Sequence, residues 1–228
     1  MENTLNNDVA ALVPAAGSGE RLGLGPKAFL GIGGVSLVSR VVNTLTGCVG
    51  RVLVGVPPGY LDKATAELGD AAEVYPGGDS RQSTIYSLLQ KCAEPIILIN
   101  DGNRPFASRA LVLKVIDKAR RHGAAIAFTP ALIPFARRQD GFLVSPVPSR
   151  QAIVPQSPQA FHRDILERGY QNALENGIED QTTWEIILRL GVKVFVVEGE
   201  ETNIKITSPL DWEIANKVIA PLVQRQKK

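Results

Sequence analysis

Short apolar runs of strand length, most of them continuous, recur along the chain, at residues 9–14, 51–56, 95–100, 124–128 and 192–197. They do not alternate apolar with polar positions, which is the pattern of parallel strands covered on both faces. Between them, residues 36–45, 60–68, 83–92, 108–122 and 209–222 place apolar side chains three and four apart, as amphipathic helices do. This alternation predicts an α/β fold: a Rossmann-like, three-layer, mostly parallel sheet flanked by helices. At 228 residues the chain has the length of one well-cored domain spanning 1–228.

One stretch breaks the rhythm. Residues 130–158 hold six prolines and mixed polar residues around the turn signal Gln139-Asp140-Gly141. They predict an excursion from the sheet, a protruding two-stranded β-arm at about 130–158. A lone hairpin is only marginally stable in water, so the arm is expected to pack on a second copy and make a homodimer; a plain surface loop is the alternative. Residues 224–228 read as a disordered tail.

Charge changes the picture little. Twenty-five Lys and Arg against 23 Asp and Glu give a net charge of +2, and part of that excess lies in Arg225, Lys227 and Lys228. Nucleic-acid clamps carry a far stronger basic excess, so nucleic acid is not an expected partner and any anion must be bound locally. Cys48, Cys92, His122 and His162 have no zinc-site spacing. The polar start and the lack of a long apolar run predict a protein without a membrane partner, in the cytoplasm, or in a plastid if a transit peptide has been removed.

The first apolar run leads into Ala15-Ala16-Gly17-Ser18-Gly19-Glu20-Arg21-Leu22-Gly23-Leu24-Gly25-Pro26-Lys27-Ala28-Phe29-Leu30. The loop leaving the first strand of an open parallel sheet is where ligands bind. Gly17 and Gly19 let backbone N–H groups approach phosphate oxygens, and Arg21 and Lys27 add positive charge. It is neither of the commoner phosphate motifs. Leu22 stands where the dinucleotide fingerprint needs its last glycine, and Pro26 and Ala28 flank Lys27 where a P-loop needs Gly and Ser or Thr. A generic glycine-rich turn is the alternative.

The whole string resembles the A-A-G-x-G-x-R-[LM] loop and P-K-[QA]-[FY]-L segment of the 2-C-methyl-D-erythritol 4-phosphate cytidylyltransferase family, nucleotidyltransferases with a glycosyltransferase-like α/β fold. Further landmarks carry the likeness along nearly the whole chain. Gly77-Gly78-Asp79-Ser80-Arg81-Gln82-Ser83-Thr84 resembles G-G-x-x-R-x-x-S, with Thr84 for Ser; Asp79, Ser80 or Ser83 also serves as a helix cap. Asn100-Asp101-Gly102-Asn103-Arg104-Pro105-Phe106 resembles H-D-[AS]-[AV]-R-P-F, with an Asp101–Arg104 pair as the structural alternative. Gln156-Ser157-Pro158-Gln159-Ala160-Phe161 resembles Q-T-P-Q-x-F, and Asn203-Ile204-Lys205-Ile206-Thr207-Ser208-Pro209-Leu210-Asp211 matches N-I-K-[IV]-T-x-P-x-D. Asp180 resembles the acidic residue of the family's T-D-[DE] turn. Lys205, set between Ile204 and Ile206, is expected to point inward toward an anion, and Asp211 to start a helix.

The resemblance implies transfer of a cytidylyl group from CTP to a polyol phosphate. It implies Arg21, Lys27 and Lys205 as catalytic residues. Ala15, Ala16, Gly17, Ser18, Gly19, Gly78, Thr84, Asp101 and Gly102 would bind nucleotide, and Arg104 and Arg163 substrate, Arg163 reaching the acceptor's phosphate, often in the neighbouring subunit's site. Asp101 would meet a Mg²⁺ carried on the triphosphate. The chain departs from the family at Ile133-Pro134, which stand where relatives carry an Asp-Thr pair that contacts acceptor hydroxyls. Another acceptor, such as ribitol 5-phosphate, or a nucleotide-binding protein without catalysis, are the competing readings.

Overall fold

The structure is a computed structural model and describes residues 6–17, 19, 25–179 and 182–225. It begins with β1 (Asn6–Pro14), buried from Val9 to Val13. After the turn Lys27–Phe29, a small hairpin of β2 (Gly31–Ile32) and β3 (Val35–Ser36) leads into α1 (Leu37–Leu45) and β4 (Val49–Val56). Next come α2 (Leu61–Leu68), β5 (Glu73–Pro76), α3 (Arg81–Leu89), β6 (Ile96–Ile99), α4 (Arg109–His122) and β7 (Ala124–Pro130). β8 (Phe135–Gln139) and β9 (Phe142–Val147) form the arm, and β10 (Ile153–His162) returns to the sheet. The chain closes with α5 (Arg163–Glu175), α6 (Thr183–Arg189), β11 (Phe195–Glu198), α7 (Pro209–Ile214) and α8 (Ala220–Arg225), the last two joined by a π-helical turn.

The seven-stranded sheet has the order β11-β7-β10-β6-β1-β4-β5. All pairs are parallel except those of β10, which runs antiparallel to both β6 and β7. Side chains of β1 alternate between two cores: Val9, Ala11 and Val13 pack under α1, α2 and α4, while Ala10 and Leu12 face α3, α5 and α6. With both faces covered, only continuously apolar strands avoid burying unpaired polar groups, which is why these runs read so plainly. A third, smaller core beneath α7 and α8 joins Ile32, Leu37, Phe106 and Ile206.

Helix ends follow local chemistry. The Ser36 and Ser108 hydroxyls accept from Ser39 N and Leu111 N and cap α1 and α4. Gly123 ends α4 in the left-handed conformation, φ 81°, after the basic residues Arg120, Arg121 and His122.

Two expectations need correction. The arm is narrower than 130–158, because residues 153–162 form a central strand. Two prolines would normally exclude such a strand; here Pro158 falls in the slip of the β7–β10 register between Gln156 and Gln159, and Pro155 lies outside the Gln159–His162 stretch that also pairs with β6. Pro130 pairs with Ile153 at the arm's stem. The arm itself turns at Asp140 (φ 48°) and Gly141 (φ 89°), the left-handed pair that a tight hairpin demands. Gln224 and Arg225, expected in the tail, belong to α8; residues 226–228 lie outside the described residues.

Candidate active site

β4 and β6 flank β1 on opposite sides, so the strand order reverses at β1 and a crevice opens at its carboxyl end. A cleft of about 410 Å³ occupies that place. The loop after β1 forms one wall with Ala15, Ala16, Gly17, Gly19 and Lys27. Gly19 (φ 75°) has the Gly25 carbonyl folded over it; an added Cβ would lie 2.1 Å from that oxygen. Lys27 starts its turn beside Phe29, whose ring stacks on Tyr60 at 5.1 Å and lies under the Lys63 ammonium at 4.8 Å. These contacts fix the turn that carries Lys27. Ser18 and Arg21 lie outside the described residues, as does Asp180.

The second wall is the start of α3. Gly77 passes so close to Ala16 that an added Cβ would lie 2.3 Å from the alanine methyl. Ser80 caps α3, its Oγ accepting from Ser83 N at 3.0 Å while Ser83 Oγ accepts from Ser80 N at 2.9 Å. Thr84 lines the cleft but is buried, and its hydroxyl is committed to backbone: it accepts from Gly78 N and donates to Ser80 O. Its work in this structure is shaping the Gly78 loop.

The floor is the end of β6. Gly102 N donates to Pro14 O at 3.3 Å, and Gly102 has space for no side chain wider than hydrogen without crowding Ala15 at 3.0 Å. Asp101, 8% exposed, accepts from Arg81 Nε at 2.9 Å and lies 3.3 Å from Lys205 Nζ. Burial alone would raise the Asp101 pKa, but the charges of Arg81, Lys205 and Arg104 and the Arg81 hydrogen bond prevail and hold it far below the usual carboxylate range. Asn103 exchanges backbone and side-chain bonds with Ile206, at 2.9 and 3.0 Å, and so ties the Lys205 segment to β6. Lys205 itself is exposed to the cleft, on a segment that belongs to neither helix nor strand, and the anion it meets there is Asp101.

A polar network beneath the floor holds these pieces together. Ser157 Oγ accepts from Asp101 N at 3.0 Å, and Asn203 Nδ2 donates to Ser157 O at 2.7 Å and to Gln156 Oε1 at 3.3 Å. Gln156 Nε2 donates to Glu200 O at 3.0 Å. The buried polar groups at the register slip in β10 thus anchor both Asp101 and the Lys205 segment.

Arg104 belongs to this network and not to the cleft lining. It is buried, and donates to Asn203 O at 2.6 Å and Pro155 O at 3.3 Å. Arg163 is remote as well: it begins α5 beside Pro95, at the opposite end of β6, and pairs with Glu167 at 2.7 Å. Neither of the two arginines expected to bind substrate lines this chain's own cleft. Arg81 is the residue that sequence reasoning left without a role; its fixed distance from the Gly77-Gly78 loop, at the first turn of a helix facing Asp101, is the signal that marks it.

Among the described residues no group of three His, Cys, Asp or Glu side chains converges to cage a metal. Asp101 on the floor and Asp79 on the rim line the cleft, and one or two carboxylates suffice for a Mg²⁺ that arrives on phosphates and keeps its waters. The donor set fits that mode.

The family model described as IspD, 2-C-methyl-D-erythritol 4-phosphate cytidylyltransferase, matches residues 9–220. The enzyme of that name from Thermus thermophilus is 36% identical over 208 residues, covering 91% of this chain and 95% of its own. That from Deinococcus radiodurans is 34% identical over 213 residues, covering 93% and 90%. The crystal structure of the Thermus thermophilus enzyme superposes with a TM-score of 0.81 at 33% identity, over 93% of this chain and 98% of that one. The synthase from Anaerococcus prevotii shares the fold at a TM-score of 0.83 and 24% identity, over 94% and 99%. With its sequence matched almost end to end and its motif-bearing loops gathered on one cleft, the chain belongs to the 2-C-methyl-D-erythritol 4-phosphate cytidylyltransferase family.

Proposed function

We propose that the protein joins CTP and 2-C-methyl-D-erythritol 4-phosphate to give 4-diphosphocytidyl-2-C-methyl-D-erythritol and pyrophosphate, a step of non-mevalonate isoprenoid biosynthesis. The observation that carries this reading is the meeting of Lys27, Lys205 and Asp101 with the open glycine loops in one cleft. The acceptor's phosphate oxygen attacks the α-phosphorus of CTP in line, and the bond to pyrophosphate breaks. That oxygen is already anionic at neutral pH, so no general base is needed. The work is alignment of two anions and stabilisation of charge growing on the transferred and leaving phosphates.

In this reading the backbone of Ala15, Ala16, Gly17 and Gly19 and the Gly78 and Gly102 edges hold the nucleotide. Lys27 and Lys205 supply charge. Asp101 would hold a divalent cation, Mg²⁺, which neutralises triphosphate charge when bound. The exposed Leu132, Phe142 and Leu143 of the arm support a homodimer built through it. Arg163, remote from its own cleft, would serve the neighbouring one. Both thiols, Cys48 and Cys92, are buried and unpaired, in keeping with a reducing cytoplasm. No helix among the described residues is long and apolar enough to cross a membrane.

Ile133, exposed on the arm's stem, and Pro134 keep ribitol 5-phosphate in view as an acceptor, since neither can hydrogen-bond a polyol through its side chain. A pyrophosphate-release screen of four nucleoside triphosphates against both polyol phosphates decides. Turnover with CTP and methylerythritol phosphate is expected; turnover only with ribitol phosphate overturns the acceptor, and none with CTP overturns the reading.

A further inference from the structure

Behind Asp101 runs a line of side chains that starts outside the cleft. Arg81 Nε donates to Asp101 Oδ1 at 2.9 Å, and Nη2 lies 2.9 Å from the same oxygen. Nη1 points the other way and donates to Thr183 Oγ1 at 3.1 Å. Thr183, the first residue of α6, is wholly buried, and its hydroxyl lies 3.1 Å from that of Tyr170 on α5. The guanidinium is therefore held from behind by α6 while it grips one oxygen of Asp101. The other oxygen is left facing Lys205.

We propose that Thr183 is a positioning residue of the transfer reaction: through Arg81 it sets the orientation of the Asp101 carboxylate and, with it, the line along which Lys205 reaches over the cleft. An arginine carries a long, many-rotamer stem. Anchored at Asp101 alone, Arg81 and the carboxylate can swing together; the bond to Thr183 removes that freedom. Charges that must meet a developing phosphate charge tolerate little displacement, since a misplacement of about 1 Å costs on the order of a hundredfold in rate. The proposal rests on the cytidylyl-transfer reading above.

Three variants separate positioning from mere stability. Thr183→Val keeps the shape and removes the acceptor; Thr183→Ser restores it; Tyr170→Phe takes away the outer hydroxyl but leaves Arg81 its partner. Thr183→Val is expected to lower kcat about tenfold to a hundredfold with KM for CTP little changed, while Thr183→Ser and Tyr170→Phe stay close to wild type. Rotation of the Arg81 guanidinium, read by ¹⁵N NMR without turnover, should be slow in wild type and Thr183→Ser and fast in Thr183→Val. A wild-type kcat in Thr183→Val, or equal kcat losses in Thr183→Val and Tyr170→Phe at equal melting temperature, overturns the proposal. A wild type that releases no pyrophosphate from CTP defeats the reaction reading instead, and the NMR comparison still decides whether Thr183 holds Arg81.

Discussion

Lys205 Nζ lies 3.3 Å from Asp101 Oδ2, so the cation of an irregular segment before α7 meets the carboxylate that follows a central strand. Without substrate the two charges satisfy each other on the cleft floor. Lys205→Ala and Lys27→Ala are each expected to lower turnover about a hundredfold or more, the scale of losing one preorganised charge or donor worth about 2.7–4 kcal/mol at the transition state. Steady-state pyrophosphate release measures it, and near wild-type rates in both would refute the assigned roles.

Asp101 also balances Arg81 in a poorly solvated place. Asp101→Asn should therefore cost stability as well as activity, about 3 kcal/mol for a cation left without its counter-charge. For a chain of this size that is a fall of about 6–12 °C in melting temperature. An unchanged melt would mean that water already screens Arg81.

Asn203 joins the Lys205 segment to β10. Asn203→Ala strips a donor from Ser157 O and Gln156 Oε1, with an expected cost of about 1–3 kcal/mol and a loss of turnover, because Lys205 lies two residues further on. Loss of stability with full turnover would show that the segment finds its place without this anchor.

Asp211 caps α7 and pins Thr207 at the cleft edge: its Oδ2 accepts from Thr207 N, Thr207 Oγ1 and Ser208 N at 2.7–2.8 Å. Burial alone would raise its pKa, but these bonds outweigh it and the pKa is lowered. The stabilisation is therefore complete above the unfolded value of about 3.9 and is lost as pH falls through the lower folded value. The melting-temperature gap between wild type and Asp211→Asn should stay constant near neutrality and close in acid. A gap that persists at the acid end would rule out this ionisation as its source.

Phe142 and Leu143 expose most of their surface at the arm's tip, 74% and 80%. Phe142→Glu with Leu143→Glu should halve the mass seen by light scattering if the arm joins two copies, and leave it unchanged if it does not.

Much of the layout was legible because two-sided burial leaves a plain trace. The runs at β1, β4, β6 and β7 are covered on both faces, and the glycine loop follows the first of them; β11 is a mostly exposed edge strand, and only its apolar side chains marked it. β5 left no such trace: it is a short edge strand without a fully buried residue. β10 was hidden for the opposite reason, since Gln156, Ser157 and Gln159 are buried there, the first two as hydrogen-bonding groups, and polar residues between prolines read as loop. Arg104 was misplaced because a motif gives a residue's neighbours and not the side of the floor on which it lies. Arg81 and Thr183 are 102 residues apart, and no local pattern announces such a pair.

The stem pair Pro130–Ile153 gives the arm a particular topological standing. It is the loop of a β7–β10 hairpin whose strands are already zipped into the main sheet. Closing a longer or shorter loop there changes the free energy only logarithmically. Insertions and deletions between the stem residues leave Gln156 and Ser157 in register beneath Asp101. A dimer built through the arm, as proposed above, would therefore tolerate changes in the length of its tip without moving the floor of the cleft.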